Sequence, residues 1–140
     1  MIRRHVLPAI ALFAGLTVGA CAAPAAADLT LEGRGWTLTQ LNGKPVGLIQ
    51  DQQPPSLTFD AAKGRVTGST GCNSLSGSYR VAGDTIAIEK VATTRRACMN
   101  GMETEQPFLA ALNQARRWKI AGGLLTLSDG AGQALAILKP

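Results

Sequence analysis

Apolar and polar positions divide the chain into three kinds of stretch. A continuous apolar run fills residues 6–18, short alternating bursts begin near residue 36, and one wider spacing interrupts them between 102 and 116. The alternation is clearest in Ser56-Leu57-Thr58-Phe59-Asp60, where Leu57 and Phe59 point one way and the polar three the other. Thr85-Ile86-Ala87-Ile88-Glu89 repeats it with Ile86 and Ile88. A period of two is the signature of a strand with one buried face. Turn formers punctuate these bursts, often at intervals of about 8 to 12 residues: Asn42-Gly43, Pro54-Pro55, Lys63-Gly64, Gly83-Asp84, Gly122-Gly123 and Asp129-Gly130. The pattern predicts short antiparallel strands over 36–41, 56–60, 65–70, 75–81, 85–89, 117–121, 124–128 and 134–138.

Between 102 and 116 the apolar residues Phe108, Ala111, Leu112 and Ala115 recur at helical spacing. Glu103 and Glu105 stand near the start of this stripe and Arg116-Arg117 at its end, as a helix dipole favours. The two glutamates are two positions apart, face different sides, and cannot form an acid–base pair with each other. Pro107 belongs in a first turn, so the helix is expected to begin near Thr104. The predicted fold class is α+β: a curled antiparallel sheet, half-barrel-like, of about 7–8 short strands packed with one helix.

The first apolar run is not part of that fold. Arg3 and Arg4 precede it and small residues follow, which is the layout of a secretory signal. It is too short for a comfortable transmembrane helix. Val18-Gly19-Ala20-Cys21 resembles a lipobox, with Cys21 acylated as the mature N-terminus. Ala25-Ala26-Ala27 is the competing cleavage pattern and would release a soluble periplasmic or secreted protein. The expected organisation is a lipoprotein signal over residues 1–21, a flexible tether over 22–32 and one domain over 33–140. The expected location is the cell envelope, on the outer membrane facing the periplasm, since Ala22 rather than Asp follows the cysteine.

Charge and chemistry narrow the function further. Of 14 Lys and Arg residues, Arg3 and Arg4 fall in the signal, leaving 12 against 9 acidic residues, scattered along the chain. A nucleic-acid binder needs a basic stripe, and none is present. The only histidine is His5, inside the signal, so imidazole-based hydrolase chemistry and histidine zinc sites are excluded from the mature domain. No nucleophile is spaced with a base, and the Gly-rich stretch 64–71 lacks the Gly-Lys-Ser/Thr and helix of a phosphate loop. No catalytic residue, metal or cofactor is expected. Trp36 and Trp118 each open a predicted strand and are expected in the core.

Cys72 and Cys98 are the two cysteines of the domain. An even pair in an exported small domain reads first as a disulfide. Two separate buried thiols are the alternative, and a redox-active pair is disfavoured by the lack of Cys-x-x-Cys. Gly71-Cys72-Asn73 lies between two predicted strands and suits a tight turn.

Taken together, Trp36-x-Leu38, Leu57-x-Phe59, Val66-x-Gly68 running into Gly71-Cys72-Asn73, and Thr94-x-x-Ala97-Cys98 resemble the META-domain family, including its HslJ-like heat-shock lipoproteins. Glu103-x-Glu105 ahead of Phe108-Leu109 and the late Leu125-Thr126-Leu127 extend the resemblance over about residues 35–138. One departure is Arg96, where the family pattern has an apolar residue before Ala-Cys. The resemblance implies antiparallel strands curled around one helix, an envelope location and an association with stress responses and drug tolerance. It implies no catalytic residues, and it marks Gly71, Cys72, Asn73, Thr94, Ala97 and Cys98 as pattern positions. The expectation is a monomeric, non-enzymatic accessory lipoprotein whose partners are the membrane, through its anchor, and an envelope protein or small ligand. A protein that binds a hydrophobic ligand or cell-wall component, or a protease inhibitor using the loop 94–101, is the alternative.

Overall fold

The computed structural model of the chain describes residues 29–48 and 51–140. The predicted signal, Cys21 and residues 22–28 of the tether lie outside the described residues. The elements in order are β1 (Gly35–Leu41), β2 (Lys44–Pro45), β3 (Ser56–Asp60), β4 (Arg65–Ser69), β5 (Ser74–Ala82), β6 (Thr85–Thr93), α1 (Met102–Gln114), β7 (Arg117–Ala121), β8 (Leu124–Ser128) and β9 (Ala134–Lys139). All pairings are antiparallel, and β9 returns to pair with β1, so the sheet closes into a ring with β2 as a flap on β1. The ring is uneven. β5 and β6 pair along most of their length, whereas β6 and β7 meet at the single pair Thr85↔Arg117. The curled sheet with one helix is therefore the observed architecture.

Alternation along the strands fills the interior. Leu57, Phe59, Val66, Ile86, Ile88, Leu125, Leu127 and Leu138 point inward and are buried. Trp36 is fully buried and its indole donates to the Leu31 carbonyl at 2.8 Å. Trp118 is only half-buried against the core, and its indole donates to the Gly83 carbonyl at 3.0 Å. Gly68 is required by close approach: a Cβ there would fall 1.8 Å from the Ser56 carbonyl oxygen on the neighbouring strand.

Three boundaries differ from the sequence pattern. The packed body begins before residue 33: Leu31 is buried in the core and Glu32 accepts a hydrogen bond from Tyr79 at 3.1 Å. Residues 29–32, predicted as tether, thus belong to the fold because Leu31 has apolar surface to cover. β6 continues past 89 to Thr93, because Lys90 takes a left-handed φ of 54° and the register shifts opposite Gly77. Such a bulge absorbs one residue and lets pairing resume, while breaking the period-two signal. Finally, α1 starts at Met102, so Pro107 occupies its sixth position rather than its first turn. The missing N–H leaves the Glu103 carbonyl without its intrahelical donor, and burial of Phe108, Ala111 and Leu112 holds the helix together. Arg116 acts at the helix end as a cap, donating from Nη1 to the Asn113 and Ala115 carbonyls at 2.8 Å each. Arg117 is directed instead to Asp84, at 2.7 Å.

Candidate functional site: a tied polar turn and the cleft above it

The turn between β4 and β5 is built on Thr70, Gly71, Cys72 and Asn73, all buried. Gly71 has a φ of 96°, a left-handed conformation open to glycine at no steric cost. The Thr70 hydroxyl accepts from the backbone N–H of Asn73 at 2.9 Å, and Thr70 N–H donates to the Asn73 carbonyl at 2.8 Å. A Ser/Thr side chain closing its own turn in this way replaces the hydrogen bonds that the strand ladder lacks.

The one hydroxyl proton of Thr70 goes to Glu105 Oε2 at 2.6 Å. Asn73 Nδ2 donates to the same oxygen at 2.8 Å. Glu105 is only 6% exposed, at the foot of α1. Its predicted role at the helix start holds for position, since it lies in the first turn, but its carboxylate is also the floor of the turn. Burying a carboxylate is costly unless it is hydrogen-bonded, and charge-assisted bonds of this kind are the stronger ones.

Asn73 makes every hydrogen bond its amide can. Nδ2 gives its second proton to the Arg96 carbonyl at 3.2 Å, while Oδ1 accepts from Arg96 N–H at 2.7 Å and from the Thr94 hydroxyl at 2.9 Å. Two donors and two acceptors are the whole capacity of an amide. The side chain therefore pairs with the Arg96 backbone as a neighbouring strand would. Thr94 Oγ1 in turn accepts from Ser74 N–H at 3.1 Å. Cys72 and Cys98 are joined in a disulfide with Cα atoms 5.9 Å apart, and Met102 Sδ lies 3.7 Å from Cys72 Sγ.

The pattern positions thus converge, with two differences. Gly71, Cys72, Asn73, Thr94 and Cys98 come together around the turn. Ala97 is exposed, and the structure offers no physical account of it. Thr70 is a member that no local signal singles out, and Glu105, read in the sequence only as a charge at the helix start and a family-pattern residue, becomes its partner 35 residues along the chain. Arg96 is exposed, and its backbone does the tying, so the apolar residue expected there has no packing duty to fulfil.

Above the turn is an open cleft of about 950 Å³. It is lined by Ser56, Thr67, Ser69 and Ser74 on the strands, by Asp51, Gln52 and Gln53 before β3, and by Arg96 and Cys98 before α1. Gln52 Nε2 donates to the Asn100 carbonyl at 2.9 Å, linking the loop before β3 to the loop before α1. Among the described residues no cluster of His, Cys, Asp and Glu is arranged to hold a metal. No helix among them is long and apolar enough to cross a membrane.

The family model described as the META domain matches residues 28–140, most of the chain and every element above. The chain belongs to the META-domain family. No curated protein matches it. Among solved structures, this META domain is similar to a protein determined by NMR, at 26% identity and a TM-score of 0.60, covering 78% of this chain and 93% of that one. It is similar to a protein from Burkholderia xenovorans, also determined by NMR, at 26% identity and a TM-score of 0.61, covering 76% and 81%. A duf4847 family protein from Bacteroides vulgatus ATCC 8482 shares the fold at 18% identity and a TM-score of 0.54, covering 75% and 90%. The META fold thus spans nearly the whole of those chains and gives the closed sheet and helix a wider setting.

Proposed function

We propose that this META-domain protein is a non-enzymatic accessory lipoprotein of the cell envelope, anchored through Cys21, associated with stress or drug tolerance, and acting by binding at the cleft over the disulfide. One observation carries the binding reading. Asn73, the most polar member of the family pattern, has all four of its hydrogen bonds occupied by Glu105, Thr94 and the Arg96 backbone. A group so fully engaged holds a shape and is poorly placed to react. What it holds is the rim of the cleft. The interior is filled by Trp36, Phe59 and Phe108, all fully buried, which favours binding outside the ring over a hydrophobic ligand within it.

Intact mass spectrometry of the protein from its membrane fraction tests the anchor: a diacylglycerol-plus-acyl mass at Cys21 is expected, and a free N-terminus at Asp28 would refute it. A photo-crosslinking residue at Thr67, incorporated in cells, tests the surface. A discrete crosslinked envelope component is expected there, and the lack of any partner product at that position counts against the cleft.

A second reading has its own observation. Met99 is fully exposed on the loop that Cys98 and Asn100 fasten at either side. A fastened loop with an exposed side chain suits insertion into a protease, and inhibition assays against envelope proteases distinguish it.

A further inference from the structure

Resting on that reading of the cleft as a binding surface, we propose that its ligand is an acidic saccharide: a polyhydroxylated ring or short chain carrying one carboxylate. The strand lining decides the first half. Strand register sets Ser56, Ser69 and Ser74 directly opposite one another across β3, β4 and β5, and Thr58, Thr67 and Ser76 in the next row. Neighbouring strands lie about 4.8 Å apart, so these side chains present hydroxyls on a fixed grid. Ser69 receives a hydrogen bond from Gly71 N–H at 3.0 Å. The hydroxyls of Ser56, Thr67 and Ser74 make no hydrogen bond among the described residues and stand open to a ligand. Each can both donate and accept, which matches the vicinal hydroxyls of a sugar.

The loops before β3 and α1 add direction. Gln52 is held by its Nε2 bond to Asn100, while its Oε1 is buried without a partner among the described residues. That bond braces the side of the cleft that Gln52 lines. Arg96 lines both this cleft and a second, smaller depression. Its backbone is pinned by Asn73 at 2.7 and 3.2 Å, and its guanidinium makes no ion pair among the described residues. An exposed guanidinium without an ion pair, carried on a fixed backbone, is free to meet a carboxylate. Arg96 is the one cation of the lining, set against the one anion, Asp51, so the cleft fits no more than one carboxylate, held at the Arg96 end. A nucleic acid would require several cations, and an apolar ligand would leave the hydroxyls unmet.

The test uses the ¹⁵N-labelled protein as isolated from cells in detergent micelles, followed by amide chemical shifts. Three probes are compared: an N-acetylglucosaminyl–N-acetylmuramic acid disaccharide, neutral di-N-acetylchitobiose, and an acidic peptide of matched charge. The acidic disaccharide is expected to move the amides of Ser56, Ser69 and Ser74, with the neutral sugar binding about tenfold more weakly. R96Q should erase that difference, because the pinned backbone keeps the fold while the charge is lost. Thr67→Val should weaken both sugars. Shifts with the peptide alone, shifts elsewhere, or none with either sugar would overturn the saccharide assignment. Crosslinking at Thr67 tests the cleft separately, whatever the chemistry of its ligand.

Discussion

Asn73 is where a single substitution should be felt most. Asn73→Ala removes four hydrogen bonds at once and leaves Glu105 Oε2 with Thr70 alone. The expected loss is about 2–4 kcal/mol in urea unfolding. Asn73→Asp should be at least as damaging, since it sets a second carboxylate where Nδ2 now stands 2.8 Å from Glu105. Glu105→Gln keeps an acceptor for both Thr70 and Asn73 and should cost less than about 1.5 kcal/mol. A ranking with Glu105→Gln worse than Asn73→Ala would mean that the charge of the buried carboxylate outweighs the four bonds of the amide. Tyr79 offers a cleaner readout, being the only tyrosine of the chain. Burial, then its hydrogen bond to Glu32 and the negative charges of Glu32 and Asp60, push its pKa up to about 12. The unfolded chain releases this proton near pH 10. Folding therefore keeps the stabilisation in full below about pH 10 and loses it as pH rises from 10 to 12. Near-ultraviolet absorbance titration should place the phenol near 12, and the alkaline fall in stability should be shallower in Tyr79→Phe than in the native protein.

Elements were legible to the extent that their signal was local. Leu57/Phe59 and Ile86/Ile88 announce β3 and β6 by alternation, and the Phe108–Leu112 spacing announces α1. The end of β6 was hidden because Lys90 in a left-handed bulge breaks the period while the strand goes on. The start of α1 was hidden because Pro107, inside the second turn, is held by tertiary burial that no propensity reveals. That gives a prediction with a sign. Pro107→Ala restores the N–H donor to the Glu103 carbonyl at an exposed position and should stabilise the protein by about 1–2 kcal/mol, the helix penalty of proline less its entropic benefit to the folded state. At β4 the sign is opposite. Gly68→Ala drives a Cβ to 1.8 Å from the Ser56 carbonyl, which no rotamer relieves, so β3 and β4 must part. Circular dichroism and solubility should show a protein that does not reach the native sheet.

Closure of the ring is the property least visible in the chain. β1 and β9 pair across nearly a hundred residues, and nothing in either strand names the other. The candidate site was half-visible for the same reason: the cysteines and Asn73 were read from their types, while Thr70 and Glu105 became partners only through the fold. Closure and disulfide therefore divide the stability between them in a way that can be measured. The ring is held around its circumference by backbone bonds, whereas Cys72–Cys98 joins two loops at one end of β4, β5 and β6. Opening the disulfide frees a loop of sequence separation 26, a loss of about 3.5 kcal/mol in the chain-entropy model. That loss belongs to the unfolded chain's gain in freedom, so the native ring should persist after reduction under folding conditions. Locally, the Asn73–Arg96 pairing loses the covalent clamp that keeps its two sides in register. Hydrogen exchange before and after reduction should show faster exchange at Asn73, Arg96 and Cys98 in the rim of the cleft, with Leu38, Leu127 and Leu138 in β1, β8 and β9 keeping their order of protection. The global loss alone quickens exchange equally at the ring amides, so rim amides that quicken by no more than this would mean that the cleft has no scaffold separate from global stability.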